Sequence, residues 1–193
     1  LSYLSTRYSH PEWLVKDFLA VLGSDETAGL LAANNSRAPI TAMVNATRTT
    51  ASALSAALEG EGVTSRPHPW LADCLMLEKT GDLSRLAAFQ EGLFYIQDPA
   101  SKLAALTLEP KPGMRVLDCC AAPGGKSFAA AIQMEGGGEV VSCDLHPHKK
   151  KLIQAGADRL GLENITPMTA DGKAFRPEWE SAFDRVLVDA HCS

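Results

Sequence analysis

The stretch Cys119-Cys120-Ala121-Ala122-Pro123-Gly124-Gly125-Lys126-Ser127 joins two glycines to small alanines and a lysine, just ahead of a run with helical periodicity. Glycine and alanine let a ligand come close to the backbone, and the first turn of a helix offers N–H groups with no partner of their own. Four aspartates, Asp118, Asp144, Asp171 and Asp189, stand at or just beyond the ends of four strand-like runs. Each alone would suit a turn or a helix cap. Together at one edge of an open α/β sheet they mark a ligand site, because such sheets bind ligands beyond the carboxyl ends of their strands.

Three nucleotide chemistries compete for this loop. A phosphate-binding Walker A loop needs a glycine five residues before the Gly-Lys-Ser, and that position is Cys120. A dinucleotide fingerprint needs G-x-G-x-x-G, a spacing the loop lacks. S-adenosylmethionine brings no phosphate, so it requires neither motif. It does need an acidic group for its ribose hydroxyls, and Asp144 lies 20 residues after Gly124, at the end of the next strand. Asp171 would then lie near the adenine.

Other reactive side chains read more simply as structure. Cys119 and Cys120 behave as small hydrophobes by default, and Cys74 and Cys143 as core. His146 and His148 have no third ligand in view, so no metal site is expected. Lys149, Lys150 and Lys151 read as a solvated helix face that could touch RNA phosphate. Lys126 lies inside the loop and reads as functional.

The elements that must position these groups change character near Gln97. Before it, Ser9 reads as the cap of a first helix, with Glu12 completing a capping box and Tyr8 against Trp13 as a hydrophobic staple. Leu14, Val15, Phe18, Leu19 and Leu22 form its core-facing stripe. A strand over Ile40–Thr47, a helix over Thr50–Glu59 ending at Gly60, and strands over Asp73–Glu78 and Leu93–Gln97 complete a small α+β unit. After Gln97, strands and helices alternate. Helices are predicted over Pro99–Leu108, Lys126–Met134 and Pro147–Leu160. Strands are predicted over Arg115–Asp118, Glu139–Asp144, Thr166–Ala170 and Arg185–Ala190. That alternation specifies a parallel, doubly wound, Rossmann-like sheet.

Composition sets outer bounds. Hydrophobic residues at 46% can supply a core. No apolar run nears the roughly 20 residues that span a membrane. Five cysteines without a C-x-x-C pair argue against a disulfide framework or a structural zinc and favour a reducing, cytoplasmic setting. Residues 1–98 carry 7 Lys and Arg against 11 Asp and Glu, and residues 99–193 carry 11 against 12, so any basic face for RNA must be local. The chain starts at Leu1 and stops at Ser193 just after a strand, which suggests a fragment.

Val116 to Ser127, with Gln97-Asp98-Pro99-Ala100-Ser101 before it and Val188-Asp189-Ala190-His191-Cys192-Ser193 at the end, resembles the Sun/Fmu-type, RsmB-like ribosomal RNA cytosine-5 methyltransferases. The segment from Arg7 to Leu22 resembles their Tyr-Ser-His-Pro-x-Trp stretch. The resemblance implies an RNA-contacting domain over 1–97 and a Rossmann-like methyltransferase domain, incomplete, over 98–193. It implies that Ala121, Ala122, Pro123, Gly124, Gly125 and Lys126 line the methionine part of S-adenosylmethionine, with Asp144 on the ribose and Asp171 at the adenine. Asp189, counted with both the cofactor-binding and the catalytic residues, would hydrogen-bond the target cytosine. Carbon 5 of cytosine is a weak nucleophile until a thiolate adds to carbon 6. In the family that thiolate comes from a later motif, and the cysteine matching Cys192 helps release the product. His191 stands where the family has proline. The expected activity is methylation of a cytosine in RNA, 16S ribosomal RNA first, by a cytoplasmic monomer. The fragment alone is expected to be inactive, and a non-catalytic cofactor- and RNA-binding scaffold is the alternative.

Overall fold

The computed structural model describes residues 1–36 and 38–190. The chain forms two compact units, Leu1–Pro39 and Ile40–Ser193. The first is helical, with α1 (Ser2–Tyr8) followed by α2 (Glu12–Asn34). Of the predicted stripe, Val15 is fully buried and Leu14, Phe18, Leu19 and Leu22 are partly buried; Gly23, with φ 76° and ψ −176°, kinks α2 just after it. The start of this helix differs from the capping box expected of Ser9. Ser9 instead ends α1 in the left-handed region, and Pro11 precedes α2 with no side-chain cap. Pro11 takes the extended conformation of an N-cap residue, φ −59° and ψ 140°, and its side chain has no acceptor for the first-turn N–H groups. The staple is absent as well, because Trp13 is 67% exposed.

In the second unit, an antiparallel sheet has the order β2-β3-β1-β4, built from β1 (Ile40–Val44), β2 (Thr64–Pro67), β3 (Cys74–Glu78) and β4 (Phe94–Ile96). The edge strand β2 is missing from the sequence reading, since Thr-Ser-Arg-Pro carries no apolar alternation. Helix α3 (Ala51–Gly60) starts where Thr50 caps the Ala53 N–H, and buries Leu54 and Leu58 against the sheet with Val44, Leu75 and Phe94. A single turn, α4 (Ala87–Gln90), leads into β4.

The chain then enters α5 (Pro99–Leu106), capped by Asp98, which accepts from the Ala100 and Ser101 N–H groups. The strands β5 (Arg115–Asp118), β6 (Glu139–Asp144), β7 (Ile165–Thr169) and β8 (Arg185–Leu187) form an all-parallel sheet of order β7-β6-β5-β8. Between them lie α6 (Gly125–Gln133) and α7 (Pro147–Leu160). Right-handed crossovers in the same direction put both helices on one face. Phe128, Ala129 and Ile153 pack there against Val116 and Val140. The connection from β7 back to β8 covers the other face, where Trp179 and Phe183 pack with Leu117 and Val141.

The two sheets are tied through Asn45, which is fully buried. Its Nδ2 donates to the Gly92 and Leu160 carbonyls, both at 2.9 Å, and its Oδ1 accepts from the Thr47 hydroxyl at 2.6 Å. Asn45→Ala strands those carbonyls without partners and is expected to cost about 2–3 kcal/mol. Urea unfolding checks this: the midpoint should fall while the slope stays unchanged.

Candidate cofactor and base-binding site

Because β5 to β8 run parallel, their C-terminal ends share one edge. Asp118 and Asp144 end β5 and β6, while Asp171 and Asp189 lie two residues beyond β7 and β8. Strand order reverses at β5, between β6 and β8, and such a reversal opens a crevice.

The loop between β5 and α6 is held from both sides. The Ala121 N–H donates to the Cys143 carbonyl at 2.8 Å, and the Cys119 N–H to the Leu187 carbonyl at 3.0 Å. The Ala122–Pro123 peptide is cis. Gly124 has φ 120°, and a Cβ there would strike the Phe128 ring, so this position requires glycine twice over. Beneath the loop, Asp118 is buried. Its carboxylate accepts from the Ser127 hydroxyl at 2.8 Å and the Cys120 N–H at 3.3 Å, and Ser142 donates to Ser127 at 2.8 Å. Burial pushes the Asp118 carboxyl above its ordinary value, with Ser127, Cys120 and Lys126 opposing the shift.

A cleft of about 360 Å³ opens at this edge, lined by Asp144, Asp171, Leu145, Ala170, Cys119 and Lys173 among others. Asp144 accepts from the His146 N–H at 3.1 Å, and its second oxygen lies 3.8 Å from Lys149 Nζ. Asp171 is exposed and accepts from the Lys173 N–H at 2.9 Å. Lys126 Nζ and Asp189 form an ion pair at 2.6 Å, with the lysine side chain 23% exposed and the aspartate 48%. The structure therefore brings Asp144 and Asp171 to one cleft and pairs Lys126 with Asp189 beside it. Ala121 to Gly125 form the loop at the same edge without lining the cleft itself. Cys192 and His191 lie outside the described residues. Partial burial pushes the Cys119 and Cys120 thiols up, with Asp118 adding to the shift in both, so they are poor thiolate sources.

Ser127 and Ser142 were not singled out in the sequence. The one usable signal was Ser127 on the first turn of the helix, nine residues after a strand-end aspartate. The partner Ser142 belongs to a different strand, and only pairing of β5 with β6 brings it near.

Residues 105–193 match the family described as 16S rRNA methyltransferase RsmB/F, and residues 10–84 match its RsmF/B-like, ferredoxin-like domain. The chain belongs to the RsmB/F methyltransferase family. Among RsmB/F proteins, a probable ribosomal RNA small subunit methyltransferase B of Bacillus subtilis (strain 168) is 40% identical over 191 residues, covering 98% of this chain and 42% of the relative. The ribosomal RNA small subunit methyltransferase B of Vibrio cholerae serotype O1 is 37% identical over 195 residues, covering 100% of this chain and 44% of the relative. The chain thus spans less than half the length of these curated relatives. The crystal structure of PH0851 superposes with a TM-score of 0.90 at 31% identity, over 98% of this chain and 43% of that one.

The state of Asp118 gives a pH dependence. An Asp whose folded value is raised stabilises the fold fully below the ordinary carboxylate value of 3.8, and that contribution is lost as pH rises through the raised value. The Asp118 contribution should therefore fall as pH rises above 3.8 through the raised value, and Asp118→Asn, which does not titrate there, should lack that fall. Denaturant titrations of both proteins across that range check it; parallel curves would contradict it.

Proposed function

We propose that this chain carries the S-adenosylmethionine-binding and base-contacting part of an RNA cytosine-5 methyltransferase whose substrate is 16S ribosomal RNA. The observation that carries the reading is the convergence of Asp144 and Asp171 on one cleft, beside a loop whose Gly124 position excludes a side chain. This pair of acceptors suits an adenosine without phosphates. The carboxylate of Asp144 would hold the ribose hydroxyls, Asp171 the adenine amino group, and Leu145 and Ala170 supply the apolar wall. The loop from Ala121 through Pro123 to Lys126 would hold the methionine part. The bound cofactor supplies the methyl group.

The chain's own residues do the orienting. Lys126 pairs with the Asp189 carboxylate, which would accept a hydrogen bond from the cytosine 4-amino group, or from N3 once that nitrogen is protonated, and so favour the activated form of the base. Cys192 is assigned the product-release role that the family resemblance implies. The division at Gln97 is retained as a functional boundary, supported by two separate sheets that end and begin around it. The curated relatives' names support ribosomal RNA as the substrate, and a monomer in the cytoplasm is proposed with it. Among the described residues, no helix is long and apolar enough to cross a membrane.

Calorimetric titration of S-adenosylhomocysteine into this chain tests the reading, beside Asp144→Ala and an ATP control. Losing a charge-assisted hydrogen bond of about 1.5–3 kcal/mol should weaken binding roughly 10- to 100-fold in the variant. ATP should not bind. A folded chain that ignores S-adenosylhomocysteine would sink the proposal.

A further inference from the structure

A second, larger cavity of about 610 Å³ lies at the other end of α6, between that helix, α5 and the strands β1 and β4. Helix α6 starts at the Gly124–Gly125 loop and brings Ala129, Ile132 and Gln133 to this cavity. The helix rises ~1.5 Å per residue, so Ile132 lies roughly 10 Å along it from Gly125. The cavity shares no lining residue with the cleft that holds Asp144.

Its walls divide into two kinds. Leu106, Ala129 and Ile132 make an apolar surface. Asp73, Tyr95 and Lys102 make a polar one, and each has an incomplete set of partners or an exposed edge. Lys102 is almost fully enclosed, with its side chain 4% exposed, and its ammonium pairs with Asp73. That ion pair occupies one of the three donors of an ammonium. Tyr95 is 3% exposed, and its hydroxyl is buried with no hydrogen-bond partner. An unsatisfied buried hydroxyl is costly, and proteins satisfy nearly all of them. Asp73 remains 46% exposed, which leaves carboxylate lone pairs available.

We propose that this cavity binds a nucleobase bearing an N–H beside a carbonyl, the pattern of guanine and uracil. Tyr95 and Lys102 donate to the carbonyl, Asp73 accepts from the adjacent N–H, and the base plane lies on the apolar surface. Lys102 and Asp73 neutralise each other, and Glu135 adds a further carboxylate to the lining, so a free phosphate or carboxylate is disfavoured. The volume falls within the roughly 300–1,000 Å³ range of small-ligand sites. The same base edge can come from a free nucleoside or from an unstacked residue of single-stranded RNA, which proteins read on just such edges.

Calorimetry on this chain separates the sources. Guanosine, uridine, adenosine and a short single-stranded RNA of guanosine and uridine are titrated into the parent and Tyr95→Phe, each with S-adenosylhomocysteine in excess so that the cofactor cleft is filled. Saturable binding of guanosine or uridine, weakened about tenfold in Tyr95→Phe, supports a free ligand; binding by the RNA alone, with the same loss, assigns the base to RNA. Tyr95→Phe removes the orphan hydroxyl, so the unliganded variant should melt no lower than the parent, and its affinity for S-adenosylhomocysteine should be unchanged. That last readout keeps this site separate from the cofactor cleft. Folded parent protein that binds none of the probes overturns the proposal. So does equal affinity in Tyr95→Phe, or adenosine binding as tightly as guanosine.

Discussion

The ring of Phe128 is the contact on which the arrangement of the second unit turns. It sits where side chains at Gly124 and Gly156 would have to be, so the loop after β5 and the middle of α7 both close onto the far end of the ring. On a further side it meets Tyr95 of β4 edge to face at 5.9 Å. One aromatic residue therefore sets the height of the loop, the approach of α7 to α6, and the seating of the antiparallel sheet. Interiors packed at crystal-like density transmit such constraints with little slack. The two glycines are in this sense the complement of the ring.

The loop is stiff for a second reason, which lies beneath it. Ser142, Ser127 and Asp118 form a chain of hydrogen bonds across β6, α6 and β5. A buried carboxyl is tolerated only when such partners satisfy it. The network holds the first turn of α6 against the sheet and so fixes where its free N–H groups point. Polar groups that bind therefore stand on polar groups that only position. The Lys126–Asp189 pair extends the same logic across the crevice, joining the first turn of α6 to the segment after β8.

The antiparallel sheet is more than an appendage to this core. Arg159 of α7 donates to the Phe89 and Phe94 carbonyls at 2.6 and 3.0 Å while its guanidinium lies 3.8 Å over the Phe89 ring. With Asn45 it joins the end of α7 to the turn before β4. The helix that starts beside Asp144 thus ends on the other sheet, which couples the two sheets mechanically within one compact unit.

Local pattern alone determined much of this protein. The strands Arg115–Asp118 and Glu139–Asp144 and the helix Pro147–Leu160 were legible because their apolar periods, prolines and terminal aspartates act over a few residues. The loop from Cys119 to Ser127 and the spacing to Asp144 were legible for the same reason. Tertiary structure decided what no short window contains. Strand β2 exists because Arg66 and its neighbours pair with β3, not because of its own composition. Ser9 ends a helix instead of starting one, since two helices meet at Ser9–Pro11. Ser142, Tyr95 and Lys102 gained their roles only when packing removed water from them, because an ordinary hydroxyl or ammonium becomes consequential once it is desolvated.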